Sequence, residues 1–256
     1  MCTATQAFYD GLADDYHLMF EDWDSAIEEQ AAVISKILKS ACGGLHTLSI
    51  LDCACGIGTQ TLGLARLGYN IVGCDLSPMA IQRASQESRL RKLNVRFMSV
   101  DMLNLAETDL QPFNAVICMD NVFPHFDSDD LLAHAARELR EKLKPGGVLI
   151  TSIRDYDRLI LERPTIQGPF FFGSQGARRI SLQIWDWFDQ NRYRFHIVFA
   201  SERSTGWQIR HHTSTYRALL QEELVAILKN EGFTNMRWIL PAECGYHQPI
   251  LLAHRT

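Results

Sequence analysis

The chain has 256 residues, 46% of them hydrophobic and 21% charged, enough for one large domain with a full core or a domain carrying an inserted cap. Its formal net charge of −5 argues against a nucleic-acid or anionic-membrane binder, and no apolar run reaches the length of a membrane span. The acidic start "MCTATQAFYDGLADDY" is not signal-like, and seven cysteines, mostly in apolar strand-like contexts, fit reduced buried thiols, so a soluble cytoplasmic protein is expected.

Residues 1 to 23 are aromatic and acidic without a clear period. Ser25 then reads as the N-cap of a helix, with Glu28 completing a capping box and Ile27, Ala31, Ile34 and Leu38 forming its buried stripe. "ACGGLHT" breaks that helix, and "TLSILDCA" is the first core strand. A glycine turn and a helix through "TQTLGLARLG" follow, then the strand "NIVGCD" and a helix capped by Ser77 with Pro78 at its first position. "VRFMSVD" and "FNAVICMD" are the next strands. A helix from Asp129 to Leu143 puts Leu131, Ala135, Leu139 and Leu143 on one face; "KPGG" ends it, and "VLITSI" is the fifth strand. Apolar strands alternating with helices imply a parallel sheet covered on both faces.

After Arg154 the pattern changes. "ISLQIWDWF" and "YRFHIVFAS" flank "DQN" as an antiparallel hairpin, and "GWQIRHHTSTYRAL" supplies a third strand beside it. A helix from Gln221 to Asn230 and the strands "NMRWIL" and "QPILLAHR" complete the chain. The antiparallel part is expected to cap the carboxyl edge of the parallel sheet, where such folds bind ligands. One domain over 1–256 is expected: an N-terminal lid and helix at 1–44, a cofactor-binding core at 45–155, the cap at 156–216, and a closing helix and strands at 217–256.

The chemistry gathers at "LDCACGIGTQT". Gly56 and Gly58 follow the first strand and open a helix, so backbone can pass close to a ligand there. Asp75 ends the second strand nineteen residues after Gly56, the spacing of an acid that hydrogen-bonds a ribose diol. A dinucleotide fingerprint would need glycine where Thr61 stands, and Asp52 just before the turn would repel a pyrophosphate. S-adenosylmethionine carries adenosine, a sulfonium and an amino acid but no phosphate, and it suits these residues better.

Through "LDCACGIGTQT", "GCDLSPMA", "SVDML", "FNAVICMDNVF" and "LKPGGVLITS", the sequence resembles the class I S-adenosylmethionine-dependent methyltransferases over residues 45 to 155 and the last strands. The resemblance implies a Rossmann-like α/β fold with a seven-stranded, mostly parallel sheet whose last strand is antiparallel. It implies that Ala54, Gly56 and Gly58 line the methionine part of the cofactor and that Asp75 binds the ribose. Leu76 would flank the adenine, Asp101 and Met102 would contact its edge, and the Met119 carbonyl would face the cofactor's amino group. "FYDGLADDYHLMFEDW", "MDNVFPHF" and "SIRDYDRLIL" add a narrower resemblance to glycine and sarcosine N-methyltransferases. By that analogy Asn121, His125 and Arg154 face the methyl acceptor, Arg154 pairs with its carboxylate, and Tyr16 and Tyr216 lie over the transfer site. Members of that group often have an arginine early in the first long helix to hold the cofactor's carboxylate; "SAIEEQ" offers Glu28 and Glu29 instead.

Other readings weigh less. Cys53 and Cys55 lack partners at a metal-ligand spacing and read as packing. His211 and His212 point to opposite faces of a strand and read as a solvated pair, while Trp185, Trp187 and Trp207 read as cap core. Asp155 or Asp157 could hold Arg154 in a structural ion pair. The expected function is methyl transfer from S-adenosylmethionine to a small carboxylated amine such as glycine or sarcosine, with no metal. The alternatives are O-methylation of a hydroxylated metabolite, a non-catalytic nucleoside-binding protein, and a nicotinamide dehydrogenase. Acceptor identity, number of transfers and homo-oligomeric state stay open.

Overall fold

A computed structural model describes residues 3–43 and 48–256, so the expected boundary between residues 44 and 45 lies outside the described residues. Helices α1 (Thr3–Leu12) and α2 (Trp23–Ala41) precede the first strand. The core then alternates β1 (Ser49–Asp52), α3 (Thr59–Arg66), β2 (Asn70–Asp75), α4 (Pro78–Leu90), β3 (Arg96–Ser99), β4 (Phe113–Cys118), α5 (Asp129–Glu141) and β5 (Leu143–Ser152). After α6 (Tyr156–Glu162), β6 (Ile166–Phe172), β7 (Arg179–Trp187), β8 (Arg192–Arg203) and β9 (Gly206–Arg217) form a separate four-stranded antiparallel sheet. The chain closes with α7 (Gln221–Asn230), β10 (Phe233–Ile239), α8 (Pro241–Cys244) and β11 (Ile250–Arg255).

The main sheet has the expected seven strands, in the order β10-β11-β5-β4-β1-β2-β3. β1 pairs in parallel with both β2 and β4, and β11 is antiparallel to both of its neighbours. Alternate residues serve alternate faces. Ile50, Ile117 and Ile150 pack with Ile34 and Leu38 of α2, whereas Leu51, Val116 and Leu149 pack with Leu132 and Leu139 of α5 and Leu224 of α7. Burial on both faces is why these strands read as continuous apolar runs. The order reverses between β1 and β4, so the loops after those strands diverge and leave a crevice at the carboxyl edge.

Several local expectations change. The cap of α2 is Asp22, whose Oδ1 accepts from the Ser25 backbone N–H at 2.8 Å; Ser25 is already helical. α1 forms where no period was legible, since its buried Phe8 and Leu12 join the core that also holds cap residues. α5 stops at Glu141, with Leu143 already in β5, and it buries Leu132, Ala135, Ala136 and Leu139 rather than a stripe through Leu131. His211 and His212 do point apart, but they are not a solvated pair. His212 Nε2 meets the buried Asp15 at 3.1 Å, and His211 Nε2 meets His196 Nδ1 at 2.8 Å. Trp185 is fully buried as expected, while Trp207 is 46% exposed because it lies on the solvent side of the cap sheet. Among the described residues no helix is long and apolar enough to cross a membrane, and no group of three or more His, Cys, Asp or Glu could hold a metal ion.

Candidate active site

A cleft enclosing about 610 Å³ of space, part of it open to solvent, lies at the crevice beside β1. Of the sequence-expected residues, Tyr16, Ala54, Gly56, Asp75, Leu76, Met102, Met119 and His125 line it. Tyr9, Thr59, Gln60 and Asp120 line it too, and the sequence reading had not singled them out.

The β1 turn works as its glycines suggest. Gly56 has φ +52, and a Cβ built there would meet nothing within 4 Å, so a side chain would project into open space where a ligand can instead approach backbone. Its N–H donates to Asp75 Oδ2 at 2.8 Å, and the Ser77 N–H donates to Asp75 Oδ1 at 2.9 Å. Both oxygens of Asp75 are thereby fixed with lone pairs to spare, and burial pushes its carboxyl up. Gly58 stands behind the wall, where its left-handed φ of +96 caps α3 and an added Cβ would come within 3.1 Å of Leu62 Cγ. Asp101 caps the turn that starts at Met102, accepting from the Leu103 N–H at 3.0 Å. Asp52 lies beneath the turn with Thr61 Oγ1 donating to it at 2.6 Å, and burial raises its carboxyl to about 7.

After β4 two consecutive non-glycine residues turn left-handed, Asp120 at φ 61 and Asn121 at φ 73. Asp and Asn tolerate that region better than other residues, and such strain gathers at functional sites. The Asn121 side chain then bridges two elements. Its Nδ2 donates to Tyr156 Oη at 2.9 Å, and its Oδ1 accepts from the Arg154 backbone N–H at 3.1 Å. Asn121 therefore stands behind the cleft wall and fixes the chain at Arg154.

Arg154 reaches into the seam between the two sheets. Its Nη1 donates to Tyr193 Oη at 2.9 Å, and its guanidinium carbon lies 4.7 Å from the Trp185 ring centroid, 5.0 Å from that of Phe195 and 5.6 Å from that of Tyr216. Asp155 and Asp157 do not pair with it. They accept from the backbone N–H groups of Arg158 and Gln221. Among the ion pairs of the described residues none involves Arg154. Burial opposes its charge, but the surrounding tyrosines Tyr193, Tyr156 and Tyr216 outweigh that and keep it cationic.

His125 sits where cleft and cap meet. Its Nε2 shares a hydrogen bond with Tyr9 Oη at 2.8 Å, and its ring packs 4.3 Å from that of Tyr216. Burial first and the Arg154 charge second push its pKa down to about 3, so it is neutral at physiological pH. The buried Nδ1 has no hydrogen-bond partner among the described residues. Burial, with help from Asp120, Tyr216 and Asp75, raises the Tyr16 phenol well above its usual range, so Tyr16 stays protonated among groups from both halves of the site.

The cleft wall thus holds two carboxylates, Asp75 and Asp120, and no lysine or arginine among the described residues. Such a wall repels a pyrophosphate and suits a ligand with a diol and positive charge. Fold and wall together agree with what the resemblance to class I S-adenosylmethionine-dependent methyltransferases implies.

Comparison with known proteins agrees. The methyltransferase-domain family profile matches residues 50–147. Glycine/sarcosine N-methyltransferase of Parasynechococcus marenigrum (strain WH8102) is 32% identical over 139 residues, 54% of this chain and 48% of that protein. The enzyme of the same name from Halorhodospira halochloris is 25% identical over 191 residues, 75% of this chain and 69% of that protein. The chain therefore spans about half the length of the first relative and about two-thirds of the second. The S-adenosylmethionine-bound amino pentose methyltransferase CalS10 of Micromonospora echinaspora superposes with a TM-score of 0.71 at 19% identity, covering 90% of this chain and 92% of that one. Residues 50–147 thus match a methyltransferase domain, and the likeness to the solved structure extends over most of the chain as a shared fold.

Tyr9 and Tyr193, which sequence reasoning missed, pair with His125 116 positions away and with Arg154 39 positions away, so their pairing left no local spacing to read. Asp120 carried a usable signal, since an acid directly after a core strand at the crevice is unusual company for apolar neighbours.

Proposed function

We propose that the protein transfers the methyl group of S-adenosylmethionine to the nitrogen of a small carboxylated amine, an amino acid such as glycine or sarcosine, in the cytoplasm. Arg154 carries this reading: it is a partly buried guanidinium, ringed by aromatic faces, with no carboxylate partner among the described ion pairs. A guanidinium grips a carboxylate through two parallel hydrogen bonds, which fixes the distance from that carboxylate to the amine and so the line of attack. The relatives named as glycine/sarcosine N-methyltransferases support the same substrate class.

Transfer from a sulfonium is an in-line displacement with a good leaving group, so alignment and exclusion of water are the main demands. S-adenosylmethionine supplies the activated methyl. In this reading Asp75 accepts from the ribose hydroxyls, with Gly56 leaving room for the ligand beside it. Leu76 and Met102, with Asp101 at the start of the same turn, border the adenine, while Ala54 and Met119 border the methionine chain. The neutral His125 accepts or donates through its free Nδ1 to the acceptor, and Tyr16 and Tyr216 close over the transfer site. Asn121 holds Arg154 in place and is a positioning residue.

The test is a mass-spectrometric screen of amino acids, other amines and phenols with isotopically labelled cofactor. Label on the nitrogen of an amino acid is the expected result. Transfer only to hydroxyl acceptors would replace this substrate class, and cofactor binding without any turnover would remove the catalytic reading.

A further inference from the structure

The far end of the cap carries a second cavity. It encloses about 680 Å³ of space, part of it open to solvent, between the β6–β7 and β8–β9 turns and Leu18 of the segment before α2. Arg178, Arg179 and Arg203 line it with a single carboxylate, Glu202, in a chain whose acids outnumber its lysines and arginines by 30 to 25. This cavity is not part of the cleft. Trp185, which packs on Arg154, is six residues along β7 from Arg179, roughly 20 Å in an extended strand.

Glu202 is fully engaged within the wall. Arg178 Nε donates to its Oε2 at 2.9 Å and Arg178 Nη2 to its Oε1 at 2.7 Å, while the backbone N–H groups of Gly176 and Arg178 donate to Oε2 at 2.8 and 3.2 Å. The Arg178 side chain first, and the backbone donors after it, hold the Glu202 carboxyl down at about 2. That pair is neutral, so the charge left in the cavity is that of Arg179 and Arg203. Neither enters an ion pair among those of the described residues. Glu21 acts on Arg179 only through space. Arg179 Nη2 donates to the Phe20 carbonyl, and its Nε is buried with no hydrogen-bond partner among the described residues.

Strand register puts the two cations side by side. Arg179 lies opposite Ser201 in the β7–β8 ladder, and Arg203 is two residues on from Ser201, so all three leave the same face of the sheet. Diagonal neighbours of this kind stand roughly 7–8 Å apart, and like charges on adjacent sheet positions repel. Ser201 and Ser204 line the same cavity and bring hydroxyls to it. A phosphate monoester carries nearly two negative charges on three acceptor oxygens, which suits two guanidiniums and hydroxyl donors, whereas a single carboxylate offsets only one of the cations. We propose that this cavity is a phosphate site separate from the transfer cleft, holding the phosphate group of a small phosphorylated molecule, or the free ion, between Arg179 and Arg203.

The experiment is calorimetric titration of the full chain at fixed ionic strength with glycerol 3-phosphate, inorganic phosphate and acetate. Both phosphates should bind saturably, and acetate should bind about ten-fold more weakly or not at all. Tighter binding of glycerol 3-phosphate than of inorganic phosphate supports an organic phosphate as the ligand, and equal binding supports the free ion. Arg203 is exposed, so Arg203→Gln should keep the wild-type melting temperature in phosphate-free buffer while weakening phosphate binding about ten-fold or more. Arg179→Gln should weaken it at least as much, and Arg203→Gln decides the case if the Arg179 variant does not fold. Failure of both phosphates to bind saturably, or unchanged phosphate affinity in Arg203→Gln, overturns the site. Acetate that binds as tightly as phosphate overturns the choice of ligand.

Discussion

The two halves of the site differ in charge and in construction. The proposed cofactor half is acidic and built from loops that follow β1, β2 and β4 of one sheet, with Asp75 fixed by the backbone N–H groups of Gly56 and Ser77. The proposed acceptor half is centred on the cationic Arg154 and assembled from two sheets, with Trp185, Tyr193, Phe195 and Tyr216 contributed by the cap. One half needs only a strand and its next turn. The other exists only once the cap has docked. In the proposed reaction the cationic donor meets the acidic half and the acceptor's carboxylate meets the cationic half, and the molecule keeps the two on separate elements.

The comparison breaks first at Arg154. Arg154→Ala should lower kcat/KM on the screened amino acid by roughly 2–5 kcal/mol of transition-state stabilisation, about thirty- to several-thousand-fold, because the acceptor carboxylate would be left buried and unpaired. Arg154→Lys keeps charge without the fork and should also lose most turnover while binding S-adenosylhomocysteine normally. Steady-state kinetics beside a thermal melt decides the case, since normal kinetics with a lowered melting temperature would make Arg154 structural. On the other side of the site, Asp75→Ala removes the acceptor for two ribose hydroxyls and should weaken cofactor affinity by about 2–3 kcal/mol, roughly thirty- to 160-fold. Unchanged affinity by calorimetry would remove the ribose assignment.

A smaller effect separates the halves by pH. Asp52, under the cofactor loop and near Asp75 and Asp120, holds its proton up to about 7 against an ordinary 3.8. The folded state therefore binds the extra proton, and Asp52 costs stability as pH rises from about 4 through 7. His125, beside Arg154, has the opposite sign. Its folded pKa of about 3 lies below the ordinary 6.5, so the unfolded chain takes up the proton first and stability is lost as pH falls from about 6.5 towards 3. Asp52→Asn should remove the loss of melting temperature on raising pH from about 4 to 7, and His125→Gln the loss on lowering pH from about 6 to 4, each by a few degrees. Parallel curves for variant and wild type would show that neither group titrates as its surroundings dictate.

Legibility followed the same division. Gly56, Asp75, Leu76, Met102 and Met119 stand at strand ends that apolar runs announce, and the structure gathers them in one cleft. Expectation and structure parted where a role depended on packing. Gly58 caps a helix behind the wall, Asn121 braces Arg154 from behind, and His212 meets Asp15 rather than water. α1 was invisible because its apolar residues answer to the core beneath the cap and not to a period of their own.

By itself the sequence determined the alternation of strands and helices, the parallel sheet it implies, and the glycine turn after the first strand that lines the cleft. Those depend on hydrophobic periodicity and on residues within a turn of one another, which are local facts. Tertiary structure alone decided that Tyr9 meets His125, that Tyr193 meets Arg154 and that Tyr246, 126 positions away, meets Asp120. Such pairs are made by how two sheets and a docked helix pack. Their geometry depends on every contact between those layers, and no spacing along the chain encodes it.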